Sequence, residues 1–577
     1  MPNPVAVNDL SPISGSLQTS RVSYGVETAG KNYGQNYNSS TWYSDIPNNG
    51  QFYTIISDNY TANYYVSRSN AGGAYVEGGL PAVDEYSAPV FWVTPGTSSL
   101  DVITIVNGLP DRIGQTPFNS GSQALNWVAS SSNYFAVGPD YYEQIDADNL
   151  GLYIHGNQII SYPTTGSTWY DISGQNNRFN LINGPTYNSN GWINFDGSDD
   201  YAVAVNTTLP SAAASPFTLM AVARTSGGGA YQTVLGTGGL LSQIGFVSNN
   251  AFMYGRNGGG GGLLYSNGGA IVTGRFYHLT MTYNGSTATA YLNGVATQTG
   301  VNIGSNGGTN GVHVLSSYTP SAASEILTGD IAQALVYPKP LTAAEVAQNY
   351  YGGPIVTDGL IYAIDAGNLV SYPKSGTTVY PLTGSNTDTL TNGVGFLPID
   401  GGTWTFDGVD DYIDLSADPW PANAFTNDSV SIWFKFSNYG VILGQNAGVP
   451  FSLGGYVPAI YIDTSFYLRT SMFWGGSTGN QSVSPSPLSI NTWYNVTLTN
   501  GSNTQKTYLN GELIATLSKT QASYAGAYYY TLGAGVWTGW GGSTGNVGYL
   551  QGQIANLYYY DKELTAAEVL QQYNTTK

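Results

Sequence analysis

The six residues LTAAEV occur twice, at Leu341 to Val346 and at Leu564 to Val569, and each copy closes a much longer stretch of similar order. A chain organised on such a duplication is constrained to fold as two versions of one module. Each copy reads as a helix start: Thr342 and Thr565 cap the first turn, and Glu345 and Glu568, three residues on, reach back to complete a capping box. Leu341 and Leu564 are placed to staple onto Val346 and Val569. Both glutamates are thereby accounted for as caps, worth about 0.5 to 2 kcal/mol each, rather than as catalytic acids.

The copies can be followed upstream. The opening DNLGLYIHGNQIISYPTTGSTWY aligns without gaps on DGLIYAIDAGNLVSYPKSGTTVY, with Tyr162 matching Tyr372 at an offset of 210. FDGSDDY at Phe195 to Tyr201 then matches FDGVDDY at Phe406 to Tyr412, an offset of 211. An alternating strand follows in each, with Phe217, Leu219, Ala221 and Ala223 forming one core-facing row and Val430, Ile432, Phe434 and Phe436 the other. Next come Phe276 to Tyr283, Asn284-Gly285, Ala288 to Leu292 and Asn293-Gly294, matched by Trp493 to Thr499, Asn500-Gly501, Lys506 to Leu509 and Asn510-Gly511. Asn-Gly between alternating strands is a hairpin signal because both residues tolerate positive φ, so each copy predicts an antiparallel meander. A last strand from Gly329 or Gly552 leads into the capped helix.

The domains read as 1–142, with no partner elsewhere in the chain, 143–351 and 352–577. In the first, Tyr53 to Ser57 and Asp101 to Val106 suggest strands and Ser122 to Val128 one short helix. Composition supports a β-rich, loop-rich protein: Gly, Asn, Ser, Thr and Tyr abound, and charged residues are 9% of the total. There is no cysteine, hence no disulfide, thiolate metal site or thiol nucleophile. With 16 Lys and Arg against 35 Asp and Glu, the formal charge of −19 repels nucleic acid and anionic membranes. MPNPVAVNDL lacks the basic region and apolar core of a secretory signal, and no stretch approaches about 20 apolar residues. The expectation is a soluble protein that reaches its destination without Sec export and inserts in no membrane.

Taken together, the order GL, DAGN, SYP, FDG-x-DD-Y, Y-L-N-G, G-x-I-A and LTAAEV resembles the laminin-G-like, concanavalin A-like jelly rolls of tail, fibre and decoration proteins of marine bacteriophages. The resemblance covers both modules, about three quarters of the chain, and implies an all-β fold of two tandem jelly-roll sandwiches after a β-rich N-terminal region. It implies a virion structural protein assembled in the host cytoplasm and displayed on the virion surface. Residues 1–142 would dock onto other virion proteins, and the chain would be a homo-oligomer. The copies depart from the pattern in different places, with His155 against Asp365, and Pro381-Leu382-Thr383 against Asp171-Ile172-Ser173.

No catalytic residues are expected. Glycosidases of this sandwich place carboxylates on one strand face as E-x-D-x-(x)-E, and retaining hydrolysis needs two carboxyls about 5 to 5.5 Å apart. No such run occurs; Glu143, Asp146 and Asp148 have the wrong spacing. His155, His278 and His313 sit in no hydrolase or zinc motif. The run Arg256-Asn257 with Gly258 to Gly262 lacks the Lys-Ser/Thr of a phosphate loop and reads as a surface loop.

Two features carry candidate sites. Asp196, Asp199 and Asp200, with Asp407, Asp410 and Asp411, cluster oxygens in tight turns; they either bond turn amides ahead of a strand or ligate calcium, whose six to eight oxygens exceed what three carboxylates supply. The second copy also exceeds the first by six residues between FDG and YLNG (217 minus 211) and by six more before the helix (223 minus 217). Both regions contain WGGSTGN, placing Trp474 with Asn480, and Trp540 with Asn546 near Trp537 and Tyr528 to Tyr530. Aromatic planes among Gly, Ser, Thr and Asn suit cell-surface glycans, the ring stacking on a pyranose and the amides bonding its hydroxyls. The other reading is that these tryptophans fill the sandwich or a subunit contact. The function that follows is glycan adhesion by a virion protein, with a purely architectural cement protein as the alternative and a depolymerase as the third.

Overall fold

The computed structural model describes residues 145–576 except 147–148, 159–160, 174, 176, 206–214, 238–241, 248–250, 258–263, 304–311, 319–324, 384–385, 399–400, 416–426, 448–449, 472–480, 502 and 519–527. The strand and helix readings within residues 1–142 lie outside the described residues, as do Trp474 and Asn480. The fold is all-β, with several antiparallel sheets.

The first module has two eight-stranded sheets. One runs in the order Val295–Val301, Ala288–Leu292, Tyr277–Tyr283, Phe217–Thr225, Thr328–Tyr337, Trp192–Asp196, Thr186–Asn188, and Leu152–His155 also pairs with Thr328–Tyr337. The long last strand is thus central, flanked by Phe217–Thr225 on one side and two short strands on the other. The other sheet runs Leu264–Ala270, Ala251–Asn257, Ser242–Val247, Tyr231–Thr237, His313–Leu315, Tyr201–Val205, Arg178–Ile182, Thr168–Tyr170. Phe217, Leu219, Ala221 and Ala223 enter one core with Leu235, Ile244, Phe246 and Trp169, as period-two alternation requires.

The second module repeats the plan around Gln551–Tyr560, which pairs with Asn427–Phe436, Thr403–Asp407 and Leu360–Asp365. Val430, Ile432, Phe434 and Phe436 line its core with Ile442, Leu443, Ile460 and Ile462 from the facing sheet. A two-stranded ladder of Ala534–Val536 and Val547–Tyr549 is extra.

The turn signals hold where both residues take positive φ. Asn293 and Gly294 stand at 51° and 76°, Asn510 and Gly511 at 52° and 80°, joining adjacent strands through two-residue turns. Asn500-Gly501 differs: it lies inside the strand Trp493–Gly501, and the turn follows at Asn503, φ 64°. Asn500 is held in the strand because its buried amide donates to Asp428 Oδ1 at 2.7 Å.

The capping box forms at the second helix, Ala566–Thr576: Thr565 N donates to Glu568 Oε2 at 2.8 Å and Glu568 N to Thr565 Oγ1 at 3.3 Å. Leu564 and Val569 are buried, as are Leu341 and Val346 in the first copy. The first helix, Ala343–Tyr351, belongs with the second module. The compact units meet at 343/344, against 351/352 in the sequence reading, and Asp146 also groups with the second unit, its amide donating to Asn349 Oδ1 at 2.6 Å. The physical reason lies in the helix's own partners, since buried Tyr350 donates its hydroxyl to Leu382 O at 2.8 Å and accepts Asn368 Nδ2 at 2.9 Å. No helix among the described residues is long and apolar enough to cross a membrane.

Candidate functional site

The FDG-x-DD-Y segments fold into the same corner in both modules. The strand Trp192–Asp196 ends at Asp196, and Gly197 at φ 80° turns the chain; Gly408 does the same at 83°. Asp196 Oδ1 accepts the amides of Ser198 at 2.8 Å and Asp199 at 3.4 Å, and Asp407 Oδ1 accepts Val409 N at 2.7 Å. Asp200 Oδ2 accepts Asp196 N at 3.1 Å and Asp411 Oδ2 accepts Asp407 N at 3.0 Å, closing the loop.

Each corner is also gripped from a neighbouring turn. Asn183 Nδ2 donates to Asp199 O at 2.8 Å, and Asn392 Nδ2 to Asp410 O at 3.0 Å. Both asparagines are left-handed, φ 68° and 65°, and both precede a left-handed glycine. The sequence signal for these missed anchors is the repeated pair Asn183-Gly184 and Asn392-Gly393, which marks a tight turn.

The three carboxylates of a corner therefore have separate roles. The first bonds the turn amides, the third is buried against them, and Asp199 and Asp410 are exposed, with no hydrogen bond to their carboxylates among the described residues. The amide of Ser198 and its neighbours hold the Asp196 carboxyl below its usual range. Burial, and then repulsion from the other two carboxylates, pushes Asp200 and Asp411 up.

Within each corner the ligand oxygens lie within 4.8 Å of one another, so Asp196, Asp199 and Asp200, and Asp407, Asp410 and Asp411, could hold a divalent cation. Calcium wants six to eight oxygens, and two carboxylate oxygens per corner already accept amides. A calcium ion there would keep water in much of its shell. The amide-bonding reading is thus realised for two carboxylates of each corner, while Asp199, Asp410 and the oxygens that accept no amide retain the capacity to ligate.

Of the tryptophans expected to stack on sugars, the two that are described, Trp537 and Trp540, are core residues instead. Trp537 is 1% exposed and Trp540 5%; with Val441, Val457 and Tyr461 they form a separate apolar cluster. Val441 and Tyr461 alternate with Ile442, Ile460 and Ile462 of the main core, so this cluster lies on the outer face of the second sheet. The Trp537 ring stacks on Tyr439 at 5.9 Å, meets Tyr461 edge-on at 5.9 Å, and donates Nε1 to Thr544 O at 2.8 Å. Tyr456 and Tyr461 hydroxyls clasp the carbonyls of Thr538 and Gly541 at 2.7 and 2.8 Å. Gly542, φ 68°, lies so close to Asp463 that a Cβ would sit 2.6 Å from that side chain. The inserted residues thus cover an apolar sheet face, which explains why aromatic and small residues alternate there. Asn546 is exposed and gives its carbonyl to Trp537 N at 3.0 Å.

The histidines form no site together. His155 Nδ1 accepts Asn157 N at 3.0 Å, His278 is buried in a central strand, and burial pushes His313 down to about 4.

No curated protein matches the chain. Among solved structures, domain 4 of AbnA, a GH43 extracellular arabinanase from Geobacillus stearothermophilus in complex with arabinotriose, is similar at 14% identity and TM-score 0.26, covering 37% of this chain and 98% of that one. Trypanosoma rangeli sialidase in complex with sialic acid is similar at 11% identity and TM-score 0.30, covering 71% and 82%. The binding domain of botulinum neurotoxin serotype D is similar at 12% identity and TM-score 0.31, covering 74% and 96%. Scores of this size carry no argument about activity or ligand. The sequence family is another matter: residues 196–347 and 407–570, together more than half of the chain, match the concanavalin A-like lectin/glucanases superfamily, each match opening at the first aspartate of an acidic corner. The chain belongs to that superfamily and carries two copies of its domain.

Proposed function

We propose that the chain is a non-catalytic virion structural protein, a fibre, appendage or capsid decoration, that displays two lectin-like jelly rolls for adhesion to host or environmental glycans. The observation that carries the adhesive part is the duplicated acidic corner, a set of oxygen acceptors with two of its three carboxylates exposed, held by matching bonds in both copies. Carboxylates accept sugar hydroxyls directly, through charge-assisted bonds, or through a bound cation. The virion setting is supported by the resemblance of the repeated motifs to phage jelly rolls. Residues 1–142 would provide the attachment to other virion proteins. A single glycan contact of millimolar strength, about −4 kcal/mol, is raised about 10² to 10⁴-fold by repetition on a particle.

The test is a glycan array probed with the full chain displayed multivalently, with calcium and with chelator, alongside a reducing-end assay on the polysaccharides bound. Retention on glycans without release of reducing ends is the expected result. Release would make the protein a depolymerase.

A purely architectural role is the second reading, favoured by the strand Glu512–Ser518. It lies at the end of its sheet with one partner strand and carries exposed Leu513; Leu570 of the helix is exposed as well. Edge strands with apolar side chains are templates for a further chain. Silence across the array together with a defined oligomer in sedimentation would establish this reading.

A further inference from the structure

The two corners differ in what stands beside them. In the second module the corner leads directly into Tyr412, whose ring meets Phe451 edge to face at 4.9 Å and 84°. Phe451 in turn meets Tyr549 at 5.8 Å and 63°. All three are half-buried, so each keeps part of its surface in water. The phenol oxygens of Tyr412 and Tyr549 have no hydrogen bond among the described residues. Burial, and after it the charge of Asp410, raises the pKa of Tyr549, which places that carboxylate within electrostatic reach of the rings. Phe451 is held at φ 63°, an outlier for a bulky residue.

Among the described residues, the first module has no such arrangement. The corner offset of 211 carries Tyr412 onto Tyr201, which is buried. The late offset of 223, fixed by the pairing of Gln551 with Asp407 and of Thr328 with Asp196, carries Tyr549 onto Ile326. Phe451 lies in the connection between the strands Gly440–Ala447 and Tyr456–Ile462; the matching connection, 238–241, has the sequence Gly-Gly-Leu-Leu.

We propose that the aromatic cluster of Tyr412, Phe451 and Tyr549, with the neighbouring Asp410 corner, is the carbohydrate-binding site of this chain and takes a neutral hexopyranose. This rests on the adhesive reading above and narrows it to one module and one class of sugar. A pyranose has an apolar C–H face and a rim of hydroxyls; the rings supply apolar surface, and the phenols and carboxylate supply hydrogen-bonding partners for the rim. Charge selects the class. Three carboxylates within 4.8 Å of one another, on a chain of formal charge −19, repel the carboxylate of a sialic or uronic acid, whereas a neutral hydroxyl donates to them.

The experiment uses the full chain in chelator, so that the corner carries only its own charge. An array of neutral gluco-, manno- and galacto-oligosaccharides is probed beside sialylated and uronic-acid oligosaccharides. The best neutral hexasaccharide is then titrated calorimetrically against wild type, Phe451→Gly, Tyr549→Ile and Asp410→Asn, with melting curves for each. Binding confined to neutral sugars and weakened tenfold or more in each folded variant is the expected result. Phe451→Gly and Asp410→Asn decide alone if Tyr549→Ile fails to fold, because glycine accepts the left-handed conformation and Asp410 is exposed. Undiminished binding by the variants, or preference for sialylated or uronic-acid chains, overturns this site and leaves glycan adhesion standing. Binding to no glycan in chelator overturns this site, and silence with calcium present as well overturns both.

Discussion

Trp537 is held on every side by groups of its own module: Tyr439 across one face, Tyr461 against its edge, Thr544 O on its ring nitrogen and Gly548 beneath. A ring so enclosed serves packing, and its removal leaves a cavity that the clasped loop cannot fill. Trp537→Ala should therefore destabilise the second module by about 3 to 5 kcal/mol, read in chemical denaturation. The same variant should keep its glycan affinity wherever it remains folded; a selective loss of binding at full stability would restore the ring to the ligand site. Asp428 is a second residue whose role comes from its surroundings. Its carboxylate accepts Asn500 Nδ2 at 2.7 Å and the Tyr559 hydroxyl at 3.1 Å, and is fully buried. An offset of 211 between the paired strands places Phe217 at the same position of the first module, where its ring packs on Tyr283. One copy thus solves this position with apolar contact, the other with a polar triad.

At the scale of elements, the device common to both modules is a hydroxyl that ties a central strand to the turn before the helix. Thr218 Oγ1 donates to Lys339 O and accepts Leu341 N, each at 2.9 Å. Ser429 Oγ does the same with Lys562 O and Leu564 N, again at 2.9 Å. This clasp fixes the leucine that staples the helix, so packing and capping depend on one oxygen. Thr218→Val and Ser429→Ala should each leave a buried amide without this acceptor and cost about 1 to 3 kcal/mol, with the helices the first elements to gain hydrogen exchange. Losses within about 0.5 kcal/mol would show the clasp to be dispensable. The capping box adds to the same end at Thr565 and Glu568, where Lys562 also reaches Glu568 Oε1 at 2.7 Å.

At the scale of the whole molecule, one buried group in each module couples folding to pH, and the two contributions run in opposite directions. Burial raises Asp428 from its ordinary 3.8 to about 7. Between those values the folded state keeps a proton that the unfolded state has released, so stability of the second module falls as pH rises from about 4 to about 7. His313 in the first module is pushed down from 6.5 to about 4 by burial. There the unfolded state binds the extra proton, so stability falls as pH drops through that window. Calorimetry of the full chain at pH 4.5 and 7 should show Asp428→Asn flattening a loss on the alkaline side and His313→Asn flattening a loss on the acid side. Variants that leave both slopes unchanged would refute the assignment.

The duplication, the core-facing rows, the Asn293-Gly294 and Asn510-Gly511 turns and the capping box are local patterns, legible because a period of two or a positive φ constrains neighbours in the chain. The acidic corners were legible too, since every hydrogen bond inside one spans at most four residues. What the tertiary structure alone decided depends on groups far apart in sequence. Trp537 is buried because strands near 441 and 461 present an apolar outer face, and Asn500 stays in a strand because Asp428 lies opposite it. The helix after residue 343 joins the second unit because Leu382 and Asn368 meet Tyr350 there. Tyr412, Phe451 and Tyr549 become neighbours only when the sheets close, which no spacing along the chain encodes.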